Sequence, residues 1–180
     1  MLFYSYDIQD GDTPDIIANK YYTDPNRYWM VMYGAMLSDV GGDWPMNTNL
    51  FNDYIVDKYT TATANALNVS ANTITPSQVL AYTQTTIHQY IKNVTTTDSV
   101  SNSSNTITYI IDQTAYNNTF PGTKSVNFNT GSVSTITVST YPQYLYDYEI
   151  ELNESKRTIN ILNVSHAGAM EQQLSNLLRQ

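Results

Sequence analysis

Two histidines, three closely spaced glutamates and one pair of glycines are the residues of this chain whose types could do chemistry. His88 and His166 are far apart in sequence, and neither has a second His or Cys at metal-ligand spacing, so neither a zinc site nor a nucleophilic triad is supported. Glu149, Glu151 and Glu154 could supply paired carboxylates. Glycoside hydrolysis, however, needs two carboxyls facing each other across a cleft, roughly 5–9.5 Å apart. Three acids followed by Lys156 and Arg157 read instead as a solvated helix face. Val40-Gly41-Gly42-Asp43 has the glycines of a phosphate loop but not the Lys and Ser/Thr that would hold phosphate and magnesium. With no cysteine in the chain, thiolate metal sites, thiol nucleophiles and disulfides are excluded. The expectation is a protein with no catalytic, cofactor-binding or metal-ligating residue.

The elements that would have to position such groups are set by composition. The 180 residues are 41% hydrophobic and 13% charged, about half the charge of an ordinary globular protein, so polarity comes from Asn, Thr and Ser. Sixteen acids against eight bases give a formal net charge of -8, which opposes the counterion release behind nucleic-acid affinity. Nucleic acid is not an expected partner. The first residues lack a basic region followed by an apolar stretch, and no apolar run approaches the roughly 20 residues of a bilayer span, so the chain is expected to stay soluble, with no membrane partner. On that expectation, sequons such as Asn68-Val69-Ser70 and Asn163-Val164-Ser165 are accidents of composition. Sixteen tyrosines and two tryptophans suit surfaces that are apolar on one side and wet on the other, and equally suit a β-rich core.

Along the chain, Phe3 to Ile8 alternates as a short strand. Gly11-Asp12-Thr13-Pro14 then supplies a turn and a helix start, with Thr13 as N-cap, Pro14 at the first helical position and Asp15 in the first turn. That helix should run to about Tyr22, with Ile16, Ile17 and Tyr21 on its buried side. Asp24-Pro25 opens a second amphipathic helix on Tyr28, Trp29, Met32, Tyr33 and Met36, with Trp29 facing the core. Glycines at 41 and 42 end it, and a third helix covers Thr48 to Tyr59. From Thr60 to about Tyr141 the Thr, Ser and Asn texture reads as strands, the best being Thr106–Ile111 and Val133–Val138. Thr75-Pro76-Ser77-Gln78 opens an interrupting helix, and Asp98 to Asn105 is a hairpin tip or mobile loop. Tyr144 to Leu162 regains helical texture, and Met170, Leu174, Leu177 and Leu178 form a final helical stripe.

Tyr6-Asp7-Ile8-Gln9-Asp10-Gly11-Asp12-Thr13-Pro14-Asp15-Ile16-Ile17-Ala18-Asn19-Lys20-Tyr21 resembles the first half of a LysM module: tyrosine, apolar residue, Gly-Asp-Thr, then Ile-Ala and an aromatic. Where such a module closes with a second strand, Asp43-Trp44-Pro45-Met46-Asn47 leads into another helix. This variant resembles the baseplate wedge protein 53 family of T-even-like contractile-tailed phages, through the aromatic helix Arg27-Tyr28-Trp29-Met30-Val31-Met32 and through Asp43-Trp44-Pro45 ahead of the helix ending in Lys58-Tyr59. Tyr148-Glu149-Ile150-Glu151-Leu152-Asn153-Glu154-Ser155-Lys156-Arg157, running on to Leu162, is similar to that family's closing segment.

The resemblance, with the middle read from its Thr, Ser and Asn texture alone, leads to the expectation of an α+β protein: a LysM-like N-terminal unit of strand plus helices over residues 1–60, a β-rich middle over 61–142, and a helical C-terminal docking segment over 143–180. It implies a non-enzymatic virion subunit of the tail baseplate, assembled in the host cytoplasm. Several copies would surround the tail axis and contact other wedge subunits and the sheath-initiating ring protein. The contact residues implied are Tyr28, Trp44, Pro45, Tyr148, Asn153, Glu154, Lys156 and Arg157, with Trp44 as an exposed anchor. Two alternatives stand beside it: a peptidoglycan-binding module using Gly11, Asp12 and Thr13, and an adaptor of another contractile injection system.

Overall fold

The computed structural model describes residues 1–127 and 133–179. Helices and antiparallel sheets make it an α+β protein with two compact units, Met1–Tyr54 with Ile150–Gln180, and Ile55–Glu149. The bounds fall inside two helices, Thr48–Leu67 and Leu145–Glu154, and differ from the three-part division expected from sequence texture.

In the first unit, strand β1 (Phe3–Asp7) leads through a turn at Gly11, whose φ of 88° favours glycine, into helix α1 (Pro14–Tyr22). Thr13 stands at the N-cap with Pro14 behind it, but its hydroxyl bonds the Asp15 carboxylate rather than a backbone N–H. The buried side of α1 is Ile17, Ala18 and Tyr22, whereas Ile16 and Tyr21 are exposed. Asp24 caps a 3-10 turn (Pro25–Arg27) that runs into α2 (Tyr28–Gly34). Here Met30, Val31 and Gly34 are buried, Trp29 and Met32 pack half-buried against the core, and Met36 lies beyond the helix, exposed, with positive φ. A short helix α3 (Val40–Asp43) and the start of α4 (Thr48–Leu67) follow.

The expected helical C-terminal segment is not continuous. Helix α7 (Leu145–Glu154) stops, and Thr158–Leu162 is a strand, β6, paired antiparallel with β1 from Phe3 opposite Leu162 to Asp7 opposite Thr158. Ile159 and Ile161 turn inward while Thr158 and Asn160 turn out, the period-two alternation of a half-buried strand. Helix α8 (Val164–Leu178) buries Ala167 and packs Met170 on the core, but Leu174, Leu177 and Leu178 are exposed. The core of this unit joins Ile8, Ile17, Tyr22, Met30, Val31 and Trp44 to Ile159, Ile161 and Leu162. Gly34 is where α2 comes closest to β6: a Cβ there would stand 2.6 Å from the Asn160 carbonyl oxygen.

The second unit holds the rest of α4, then α5 (Pro76–Thr85), which starts at a reciprocal capping box between Thr75 and Gln78. Its sheet has the order β3-β2-β5-β4, with β2 (Ile87–Asp98), β3 (Ser104–Ile111), β4 (Gly122–Asn127) and β5 (Val133–Tyr144) all antiparallel. A small helix α6 (Gln113–Asn118) lies between β3 and β4 in sequence. The hairpin tip expected near residues 98–105 joins β2 to β3, with the Asp98 carboxylate accepting from the N–H groups of Val100 and Ser101. Register gives this sheet two unlike faces. On one, Thr95 bonds Thr106 at 2.8 Å and Thr123 bonds Thr137 at 3.2 Å; on the other, Val94 stands between Ile107 and Val138. The threonine-rich texture is thus one face of a sheet.

Candidate interaction site

Most of the residues singled out in the sequence converge in the first unit around one groove of about 300 Å³, lined by Gly11, Asp12, Thr13, Trp44, Pro45 and Arg157 together with Gln9, Asp10, Gly41, Met46, Asn47 and Leu50. The floor is built from the chain's own hydrogen bonds. The Trp44 indole N–H donates to the Asp12 carbonyl at 2.9 Å, and the ring is only 8% exposed. Trp44 is therefore a core residue, not the exposed anchor expected for it. Pro45 is buried beside it.

Asp12 is the electrostatic centre of the turn. Its carboxylate accepts from the Tyr6 hydroxyl at 2.6 Å, the Gln9 N–H at 3.0 Å and the Lys20 ammonium at 2.7 Å. Burial opposes its charge, but these three donors, led by Lys20, hold the carboxyl below its ordinary range. Asp12 raises Lys20 in turn, while burial and then Asp12 raise Tyr6. The Asp12 side chain thus holds the turn in place, and the Gly11 and Thr13 flanks are the exposed part.

The closing segment contributes Arg157 to the groove and braces its lining residues from behind. Asn153 is buried, its amide oxygen accepting from the Met46 N–H at 2.8 Å and its amide nitrogen donating to the Met46 carbonyl at 3.0 Å. Lys156 donates to the Gly42 carbonyl at 2.7 Å. Arg157 bonds Glu154 at 2.7 Å and the Ile8 carbonyl at 3.2 Å, and lies 3.7 Å from Asp10; the Glu154 bond raises its pKa further. These residues clasp the first unit together, leaving Glu154 the most exposed of them. Tyr28 is half exposed at the start of α2 and does not line the groove.

Tyr148 lies in the second unit, its ring stacked on His88 with centroids 4.0 Å apart. Neighbouring Glu149 is not on a solvated face: it is buried, bound by Lys58 at 2.7 Å and the Tyr59 hydroxyl at 2.6 Å. Sequence reasoning missed the groove residues Asp10, Asn47 and Leu50. Helical spacing groups Leu50 with Phe51 and Ile55 on one face, but only Phe51 and Ile55 are buried and Leu50 is left exposed at the groove.

No cluster of three or more His, Cys, Asp or Glu that could hold a metal occurs among the described residues, and none of the described helices is long and apolar enough to cross a membrane. Compared with protein-family models and with curated proteins, the chain matches none.

Proposed function

We propose that this chain is a structural subunit of a contractile-phage baseplate wedge, joining neighbouring wedges through protein–protein contacts and lacking chemistry of its own. One observation carries the reading. The LysM-like start Tyr6–Tyr21 and the family-like closing segment Tyr148–Leu162 lie at opposite ends of the chain, yet the first and all of the second beyond Glu149 belong to one unit, joined by the β1–β6 pairing. A strand–helix–helix–strand order results. Its closing strand, which a LysM-like unit requires, comes only after residues 35–157. The clasp residues Asn153, Lys156 and Arg157 act within that unit, so partner contacts fall to exposed groups such as Tyr28 and Glu154.

The partners are other wedge subunits and the sheath-initiating ring protein, met in several copies around the tail axis in the virion. Co-expression with those proteins from a T-even-like phage tests this, with incorporation into wedges followed by sedimentation and electron microscopy. Incorporation is expected, and it should weaken in a Tyr28→Ala, Glu154→Ala double variant. Failure of the folded wild-type chain to join any wedge would sink the reading.

A peptidoglycan-binding reading has the groove on its side, since Gly11, Asp12 and Thr13 all line it. Titration with chitooligosaccharides, followed by tryptophan fluorescence, separates the two. The baseplate reading expects no saturable change.

A further inference from the structure

The two edges of the four-stranded sheet are built differently. The β4 edge follows Pro121, begins at Gly122 and carries Lys124 in its middle, devices that discourage strand addition. The β3 edge has none of them. Ser104-Asn105-Thr106-Ile107-Thr108-Tyr109-Ile110-Ile111 holds no charge, proline or glycine in a chain of net charge -8. Its ladder with β2 runs unbroken from Tyr90 opposite Ile111 to Thr97 opposite Ser104, so no bulge twists the edge away. Among the described residues β3 pairs with β2 alone, and Ile107, Tyr109 and Ile110 are exposed, Ile110 at 70%. A row of backbone donors and acceptors flanked by apolar side chains is thus open to another strand.

We propose that β3 is the site at which two copies of this chain associate, by antiparallel pairing of β3 with β3 about a two-fold axis perpendicular to the sheet. The occupant follows from charge. A two-fold contact sets the same strand against itself, and eight uncharged residues bring no like charges together, whereas a charged partner strand would find no counter-charge on β3. The axis keeps each sheet face on its own side, so opposed residues must share a face. With Thr108 on the axis, Ile107 of each copy stands opposite Tyr109 of the other on the apolar face, a β-branched and aromatic pair. Thr106 then stands opposite Ile110 on the threonine face. A single strand edge is a small interface, so the dimer is reversible with micromolar dissociation. This inference is independent of the baseplate reading.

Sedimentation equilibrium of the full chain across the micromolar range tests it. A monomer–dimer equilibrium is expected, with Kd raised at least about ten-fold by Ile107→Lys with Tyr109→Lys, because cations then face each other across the axis. Val126→Lys, exposed on the opposite edge strand, should leave it unchanged. Because the chain has no native cysteine, Thr108→Cys offers a second readout that needs no added charge, and it should oxidise to a cross-linked dimer. A monomer at every concentration, a dimer indifferent to the β3 lysines, equal loss with Val126→Lys, or no cross-link through Cys at 108 would each overturn the proposal.

Discussion

The Tyr22 hydroxyl donates a 2.8 Å hydrogen bond to the carbonyl of Leu162, tying the last turn of α1 to the end of β6 across 140 residues of sequence. Burial raises this phenol to about 12, against the weaker opposing effect of Arg27. A group whose folded pKa lies above its unfolded value stabilises fully below the unfolded value and loses that contribution as pH rises through the folded one. Stability should therefore hold to about pH 10 and fall between there and about pH 12. Tyr22→Phe should cost about 1 kcal/mol at neutral pH and flatten that alkaline limb, as read by urea denaturation at a series of pH values. An unchanged limb would show that another group titrates there.

Gly34→Ala sets two effects of opposite sign against each other. Alanine improves helix propensity by at most about 1 kcal/mol, while the new Cβ must push aside a backbone carbonyl 2.6 Å away. Overpacking of this kind costs about 1–3 kcal/mol, and backbone in a paired strand cannot give way as a flexible side chain could. Net destabilisation is expected in chemical denaturation. A neutral or stabilised variant would mean that α2 and β6 separate readily.

Asp12→Ala removes the acceptor of three donors at once, leaving the Tyr6 hydroxyl and the Gln9 N–H unsatisfied at the turn. A loss of about 2 kcal/mol is expected. The pH dependence has the opposite sense to that of Tyr22: with the folded carboxyl held below the ordinary 3.8, its stabilisation is present above that value and disappears as pH falls through the folded one. Asp12→Asn should lose that part of the acid limb. An identical acid profile in wild type and variant would count against the geometry described for the turn.

Trp44→Ala should unfold the first unit rather than merely weaken a contact, since the ring is part of the core and its N–H is spent on Asp12. About 3–5 kcal/mol is expected, measured by thermal melting. A fully folded variant would restore the indole to the surface role first expected of it.

Local grammar was readable in the sequence wherever one turn of chain decides the outcome: Pro14, Pro25 and Pro76 each open a helical segment, and Thr75 with Gln78 forms a capping box. What could not be read there was pairing at a distance. Thr158–Leu162 carries the alternation of a strand, but five residues following an acidic helix look like more of that helix until β1 is seen opposite them. The buried faces of α1 and α2 are legible only in part for a related reason: Ile17, Trp29 and Met32 meet the core as expected, Ile16, Tyr21 and Met36 do not. Helical spacing alone permits Tyr28, Tyr33 and Met36 to face inward with Trp29 and Met32, but the approach of β6 at Gly34 buries Met30 and Val31 and leaves only Trp29 and Met32 of that set half-buried beside them. In the groove, Gly11, Asp12 and Thr13 were visible as a motif, but the engagement of Asn153 with the Met46 backbone leaves no sequence signal beyond a polar residue in a polar stretch.

The pairing of β1 with β6 also orders events during synthesis. The first strand leaves the ribosome with its aromatic side chains exposed and cannot meet its partner until Leu162 has been made. At about 5–20 residues per second, residues 55–149 alone occupy some 5–20 s of translation. At the end of that interval the second unit has every residue it needs, whereas the first does not. The nascent chain therefore matures from the middle outward, and a stall downstream of Glu149 strands Phe3, Tyr6 and Ile8 as an apolar end for chaperones to hold.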